Sequence, residues 1–313
     1  MNFCGRKLTY LNVKKYPISQ IMPIINANCP NLETLYIKFK EIMSQDFENC
    51  FSNMFHLKTL TIVWECKNST LPMTLAKSFE KIRKTLRVLY LLCTLERSDI
   101  FSPDSLALVF PRLTGLNCLT IRNFELSQLF LQSIGEIKNL ADLRLHPFWP
   151  KKHPMFDTKI NMYPIGNLQN LEKLRIDCDY GVEDEFLTNL CNNAKKLRNL
   201  QIVGTHITDI GMRAIDNLQE LVNFNLGLRT ETNELITDES IQCLFNKKLT
   251  FIKILNCIKI TDKGVSKLVE NLPNLYSLYI TNTDGTVIRI YKLKNHGEKP
   301  LIVYDDKPCG DYY

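Results

Sequence analysis

The chain has 313 residues, 45% apolar and 23% charged, ordinary values for a folded globular protein that exclude a collagen-like repeat, a disordered acidic tail and a small disulfide scaffold. Lys plus Arg number 39 against 33 Asp plus Glu, a formal charge of +6, which is below what a dedicated nucleic-acid binder carries. The 11 cysteines are scattered from Cys4 to Cys309 with no C-x-x-C pair. Residues 1–15 hold no continuous apolar run of the secretory type, and no stretch approaches the roughly 18 apolar residues of a membrane span. These features predict a cytoplasmic or nuclear protein with reduced thiols, mostly in or near the core. The sequon Asn68-Ser69-Thr70 is by itself too little to change that expectation.

Taken in chain order, the predicted strands come from one repeated pattern, L-x-x-L-x-[LIV]. It occurs eleven times, with first leucines at Leu8, Leu32, Leu57, Leu86, Leu116, Leu140, Leu171, Leu197, Leu221, Leu249 and Leu275. The second position is leucine except at Phe224 and Ile252, and the third is always Val, Ile or Leu. The last two apolar positions stand two apart, so they share one face of a short strand. The stretch between strands leaves room for a helix and two turns. Several such stretches carry helical apolar spacing, as at Met212, Ile215 and Leu218, or Val265, Leu268, Val269 and Leu272. One unit cannot bury its own apolar face, but stacked copies can. Because helices are wider than the strand spacing, the stack is expected to curve. The predicted fold is therefore an α/β leucine-rich-repeat solenoid, a horseshoe with about eleven parallel strands on the concave side.

Helix starts are marked by I-T-D-x-G-hydrophobic at Ile207–Met212 and Ile260–Val265, by the same motif with serine for glycine at Ile236–Ile241, and by a weaker echo at Val182–Phe186. Thr or Asp there can accept hydrogen bonds from the free N–H groups of the next helical turn. From His146 to Pro164, with Pro147, Pro150 and Pro154, a loop is expected. Thr286–Lys294 alternates apolar and polar residues, and Asn295-His296-Gly297 offers a turn before Leu301–Tyr304. This reads as a hairpin-like cap. The expected division is a repeat domain over 1–285 and a cap and tail over 286–313.

At these residues the sequence resembles the cysteine-containing leucine-rich repeats of F-box/leucine-rich-repeat proteins. The clearest copy runs from Leu255 to Gly264, with Cys257 at the family's cysteine position. Asn28-Cys29-Pro30-Asn31-Leu32 is similar to the family's C-P-N-L junction, and Asn271-Leu272-Pro273-Asn274-Leu275 echoes it. Cys93 and Cys178 fall one residue early, and most other repeats lack the cysteine. The resemblance implies the substrate-recognition part of an SCF-type cullin ubiquitin ligase. A ligase adaptor would be a partner if an F-box lies upstream, since seven residues before Leu8 leave no room for one. The alternative is a free-standing interaction scaffold unrelated to ubiquitination.

For catalysis the sequence offers no glycine-rich phosphate loop, no H-E-x-x-H, no G-x-S-x-G and no metal-ligand cluster. His56, His146, His153, His206 and His296 lie far apart. The expectation is a non-enzymatic protein needing no cofactor and no metal. A hydrolase built on a Cys–His pair assembled by folding stands as the alternative from another class.

Binding is better supported, because the positions between the core residues point to the concave face. Counting the first leucine as one, position five runs Asn12, Tyr36, Thr61, Tyr90, Thr120, Arg144, Arg175, Gln201, Asn225, Lys253 and Tyr279, with no acidic member. Position three includes Val88, Cys118, Asp142, Lys173, Asn199, Asn223 and Phe251. Any sheet face turned to water would be polar, and Tyr and Thr favour strands in any case. Yet Tyr and Arg are common anchors of protein interfaces. The candidate partner-binding residues are Tyr36, Tyr90, Arg144, Lys173, Arg175, Lys253 and Tyr279. Arg144, Lys173 and Arg175, on consecutive strands, suit an acidic or phosphorylated peptide, with Asp142 and Glu172 near enough to neutralise them. The partner expected is a protein substrate. Nucleic acid is not expected, because the basic residues are spread among acids, nor is a membrane, because the helices face the core.

Overall fold

A computed structural model describes residues 5–67, 70–95, 102–147, 160–227 and 232–281, together with the strands 287–291 and 301–305. The chain divides into two compact units, Met1–Ile160 and Asn161–Tyr313.

The first unit contains β1 (Tyr10–Asn12), β2 (Thr34–Phe39), β3 (Thr59–Trp64), β4 (Val88–Cys93), β5 (Cys118–Arg122) and β6 (Asp142–His146). They pair in sequence order and all in parallel. The second unit contains β7 (Lys173–Ile176), β8 (Asn199–Ile202), β9 (Asn223–Leu226), β10 (Asn233–Thr237), β11 (Phe251–Leu255), β12 (Cys257–Lys259) and β13 (Ser277–Thr281). Of these, β7, β8, β9, β11 and β13 form a parallel sheet in that order. The short strands β10 and β12 pair with each other apart from it. The fold is therefore an α/β leucine-rich-repeat solenoid, whose described residues give six parallel repeat strands in the first unit and five in the second.

Each of the eleven strands begins two residues after the first leucine of its repeat. Neighbours pair with no register slip, so Leu35 stands beside Leu60, Leu60 beside Leu89 and Leu89 beside Leu119. The alternation of side chains decides this, since a one-residue slip would turn every leucine into solvent. The repeat positions are all buried except Leu8 and Leu11, which are half-buried on the first strand and its approach. Burying one such side chain contributes roughly 1.5–3 kcal/mol, an upper figure because the unfolded chain is itself partly collapsed.

The prediction of one helix per repeat holds only in part. The α-helices are α1 (Ile21–Asn28), α2 (Met73–Ser78), α3 (Gln128–Gly135), α4 (Asp184–Asn193), α5 (Asp209–Ala214), α6 (Asp238–Gln242) and α7 (Asp262–Asn271). Between β2 and β3 there is only a 3₁₀ turn at Ser44–Phe47, and the described residues between β4 and β5 hold two more, at Asp104–Leu106 and Phe110–Arg112. Local sequence explains both cases. Asn49 sits in the left-handed region at φ 52°, which ends a helix. Pro103 and Pro111 each lack a backbone donor. Aromatic bulk fills the space instead: Phe39 meets Phe47 edge-on at 5.2 Å and Trp64 at 6.0 Å, all three fully buried.

The I-T-D-x-G motifs do more than start helices. Thr208 and Thr237 accept at 3.1 and 3.2 Å from the N–H groups of Ile210 and Glu239. The aspartates, however, reach into the next repeat. Asp184 accepts from Thr208 N–H at 2.8 Å and Thr208 Oγ1 at 2.5 Å. Asp209 holds Thr237 in the same way at 2.8 and 2.6 Å, and Asp238 holds Thr261 at 2.8 and 2.5 Å. The glycine belongs to this contact. A Cβ on Gly264 would lie 2.1 Å from Asp238 Oδ1. Where serine replaces glycine, Ser240 Oγ donates to the Thr237 carbonyl at 3.0 Å and helps to stabilise the Asp209 carboxylate. Burial pushes Asp209 up, but the Thr237 and Ser240 bonds outweigh it and hold the carboxyl below its ordinary value.

The junction asparagines act similarly. Asn31, Asn139 and Asn274 donate to the carbonyls of Arg6, Thr114 and Lys247 in the preceding repeat, at 2.8, 2.8 and 2.7 Å. Cys257 is buried, as are Cys93 and Cys178. Buried Asn233 is fully used: its amide donates to the carbonyls of Gly204 and Ile207 and accepts from Leu235 and Ile236.

Of the expected loop at 146–164, residues 148–159 lie outside the described residues, and Tyr163–Asn167 forms a 3₁₀ turn with Pro164 in its first turn. At the other end, β14 (Val287–Tyr291) pairs antiparallel with both β13 and β15 (Leu301–Asp305). The expected turn at Asn295-His296-Gly297 lies outside the described residues, as do the sequon's Asn68 and Ser69, His153, His296, Cys4 and Cys309.

Candidate functional site

With positions one, four and six spent on the core, positions three and five occupy the opposite, open face of each sheet. The strand register sets them in straight rows. In the first unit Asn12, Tyr36, Thr61, Tyr90, Thr120 and Arg144 stand side by side. In the second unit Arg175, Gln201, Asn225, Lys253 and Tyr279 do the same. Strand spacing puts neighbours about 4.8 Å apart.

The seven candidates thus fall into two groups. Tyr36 and Tyr90 are half-buried in the first unit, flanking Thr61, and Arg144 is exposed on β6. Burial pushes the Tyr90 phenol above its usual range, with Cys118 and Asp142 adding to the effect. Arg144 forms a fork with Asp142 of its own strand, Nε and Nη2 donating at 3.0 and 2.9 Å. This hydrogen bond holds the guanidinium above its ordinary value.

In the second unit Lys173 and Arg175 are exposed on β7. Arg175 makes its own fork with Asp177, with Nη2 donating at 2.8 Å. The sequence named Glu172 as the acid near this pair, but Asp177 is the partner. The reason is parity: Arg175 and Asp177 are two apart and share a face, whereas Glu172 lies an odd number of residues away. Lys253 lies 5.4 Å from the centroid of the Tyr279 ring, a cation–π contact.

Several groups on this face were not singled out in the sequence. Asn223 donates to Asn199 Oδ1 at 2.7 Å, and Gln201 reaches Asp177 Oδ1 at 3.5 Å. Thr120 Oγ1 and Asn225 Oδ1 are buried without a hydrogen-bond partner. Asparagine in a strand was the available signal, since it is depleted there.

For the Cys–His alternative, burial pushes the Cys50, Cys66, Cys191 and Cys257 thiols up to about 12. Such thiols carry almost no thiolate at neutral pH. Exposed His206 faces a carboxylate, its Nδ1 3.0 Å from Asp179 Oδ2. Among the described residues no group of three or more His, Cys, Asp or Glu side chains is gathered to hold a metal ion, and no helix is long and apolar enough to cross a membrane.

No model of a known protein family matches the chain. In an alignment 163 residues long, which covers 46% of this chain and 23% of the relative, the chain is 30% identical to Antagonist of mitotic exit network protein 1 of Candida albicans. The chain thus spans less than a quarter of that relative. Among solved structures it is similar to Rad7 in the yeast Rad7–Elc1 complex, with a TM-score of 0.49 and 16% identity, covering 87% of this chain and 68% of that one. It is also similar to the mouse RP105/MD-1 complex, with a TM-score of 0.45 and 17% identity, covering 86% and 41%.

Proposed function

We propose that the chain is a non-enzymatic scaffold that takes a protein partner on the open face of its sheet. One observation carries this reading. The apolar repeat positions are turned inward and all but two are buried, while within each unit the facing rows present tyrosines, forked arginines and lysines in register. Extended faces of this kind are what repeat proteins use for binding. An arginine already fixed by an aspartate two residues away loses less side-chain freedom when it meets a partner. Tyr36, Tyr90, Arg144, Lys173, Arg175, Lys253 and Tyr279 are the proposed contact residues, and acidic or phosphorylated segments are the ligands that suit the arginines and Lys173.

The more specific form is substrate recognition for an SCF-type cullin ubiquitin ligase, in the cytoplasm or the nucleus. It is supported by the resemblance of the repeats around Cys257 and of the Cys29-Pro30-Asn31-Leu32 junction to F-box/leucine-rich-repeat proteins. The similarity to an antagonist of the mitotic exit network makes components of that network the first partners to seek.

Affinity purification of the tagged chain from cells of its own organism, read by mass spectrometry, tests both levels. Recovery of a ligase adaptor and cullin supports the ligase role, and co-purifying proteins that accumulate under proteasome inhibition are the candidate substrates. Specific partners without adaptor or cullin leave a free-standing scaffold. If no protein is retained by wild type beyond a control carrying alanine at the seven contact residues, the scaffold reading fails.

A further inference from the structure

Four amide side chains form a block on the open face of the second unit. Asn199 and Gln201 stand at positions three and five of β8, and Asn223 and Asn225 stand beside them on β9. Strand propensity does not account for them. The same two positions on β3, β4 and β5 hold Thr59, Thr61, Val88, Tyr90, Cys118 and Thr120, residues that suit a pleated surface, whereas Asn is depleted in strands.

Their hydrogen bonding is also incomplete. Asn223 Nδ2 is committed to Asn199 Oδ1 at 2.7 Å and Gln201 Nε2 to Asp177 at 3.5 Å. The Asn223 and Gln201 oxygens and the Asn199 nitrogen are left for another partner. Asn225 Oδ1 is buried with none, at a cost of about 1–3 kcal/mol for a buried polar atom. The block therefore offers donors and acceptors together, which is what a peptide group requires.

Basic residues flank it on both sides. Lys173 and Arg175 on β7 stand beside Asn199 and Gln201, and Lys253 on β11 stands beside Asn225. Asp177 is the acid already spent on Arg175.

We propose that this block binds an extended, acidic segment of a protein partner by its backbone. Positions three and five of one strand are two residues, about 6.7 Å, apart. Like-facing peptide groups of an extended chain repeat at that same interval. The spacing between strands, about 4.8 Å, does not match, so the segment runs along the strands. With its N–H and C=O groups turned down to the amides, its side chains project sideways, alternately toward β7 and β11. Both flanks are basic, so acidic side chains are selected on both sides of the segment, that is at successive positions. The inference rests on the proposal that the open face binds protein.

The test selects a displayed library of random dodecapeptides on the full chain and measures synthetic copies of the winners. Expected are Asp or Glu at successive positions, and a roughly tenfold loss of affinity when one central backbone nitrogen is methylated, as for the loss of one hydrogen bond. The double variant Asn199→Leu, Asn223→Leu is expected to lose the peptides, while Phe55→Ala, at an exposed side chain outside the sheet, keeps them. The methylation series needs no variant of the protein, so it stands even if the leucine variant folds poorly. A flat methylation series, winners without acids, or no winners overturns the inference. Winners that depend on Tyr36 and Tyr90 but not on the amides overturn it while leaving the scaffold reading intact. Failure of the affinity purification removes the scaffold reading itself.

Discussion

The amide of Gly211 donates to Asp184 Oδ1 at 3.1 Å, and a Cβ added to Gly211 would stand 2.3 Å from that same oxygen. Glycine inside a helix normally costs about 1 kcal/mol relative to alanine. Here alanine would push out the carboxylate that ties one repeat to the next. Gly211→Ala and Gly264→Ala are therefore each expected to lower stability by about 1–3 kcal/mol, the usual cost of overpacking. Urea midpoints check this, and an unchanged or raised midpoint refutes it.

Asp209 gives the pH dependence. Its folded carboxyl lies below the ordinary value of 3.8 because the Thr237 and Ser240 hydrogen bonds overcome burial. A depressed acid contributes stability above its unfolded value and loses it as pH falls through the folded one. The unfolding free energy should lose this contribution below about pH 4. Asp209→Asn should show a shallower decline over that window, and matching curves for wild type and variant would remove Asp209 as a cause.

Phe47 takes the place of a helix between β2 and β3. It is fully buried against Phe39, so Phe47→Ala should cost about 3–5 kcal/mol. Thermal or urea unfolding measures it; a loss below about 1 kcal/mol would mean that the site collapses around the cavity.

Arg144 and Arg175 pair with Asp142 and Asp177 in exposed forks, where an ion pair is worth at most about 1 kcal/mol. Arg144→Ala with Arg175→Ala should leave folding nearly unchanged and weaken capture of a purified partner by about tenfold or more. Unaltered affinity would take both arginines out of the contact surface.

The thiols offer a check on packing. Cys50, Cys66, Cys191 and Cys257 are buried and pushed up to about 12, while Cys118 and Cys243 are partly exposed. Brief maleimide treatment of the native chain at neutral pH should modify Cys118 and Cys243 well before the other four. Early labelling of Cys257, located by peptide mapping, would contradict its place in the core.

The strands were legible because their determinant is local. Leu32, Leu35 and Ile37 specify β2 through an alternation that depends only on backbone geometry, and the same holds through Leu275, Leu278 and Ile280 on β13. The rows on the open face follow from that alternation by counting. The connecting segments were harder to read, because Phe47 and Phe51 supply in bulk what a helix supplies elsewhere, and bulk alone does not set backbone conformation.

Residue spacing therefore determines the repeat, its strands and the side chains placed between core and open face, since these follow from a two-residue period. Only tertiary structure decided that Asp184 serves Thr208 and Gly211, and that Asn225 keeps an unpartnered oxygen on a face otherwise read as merely polar. Such pairings depend on how one turn of the solenoid stacks on the next and on which carboxylate reaches a donor at about 2.8 Å. That distance is set by packing between residues some 25 positions apart, which no local pattern encodes.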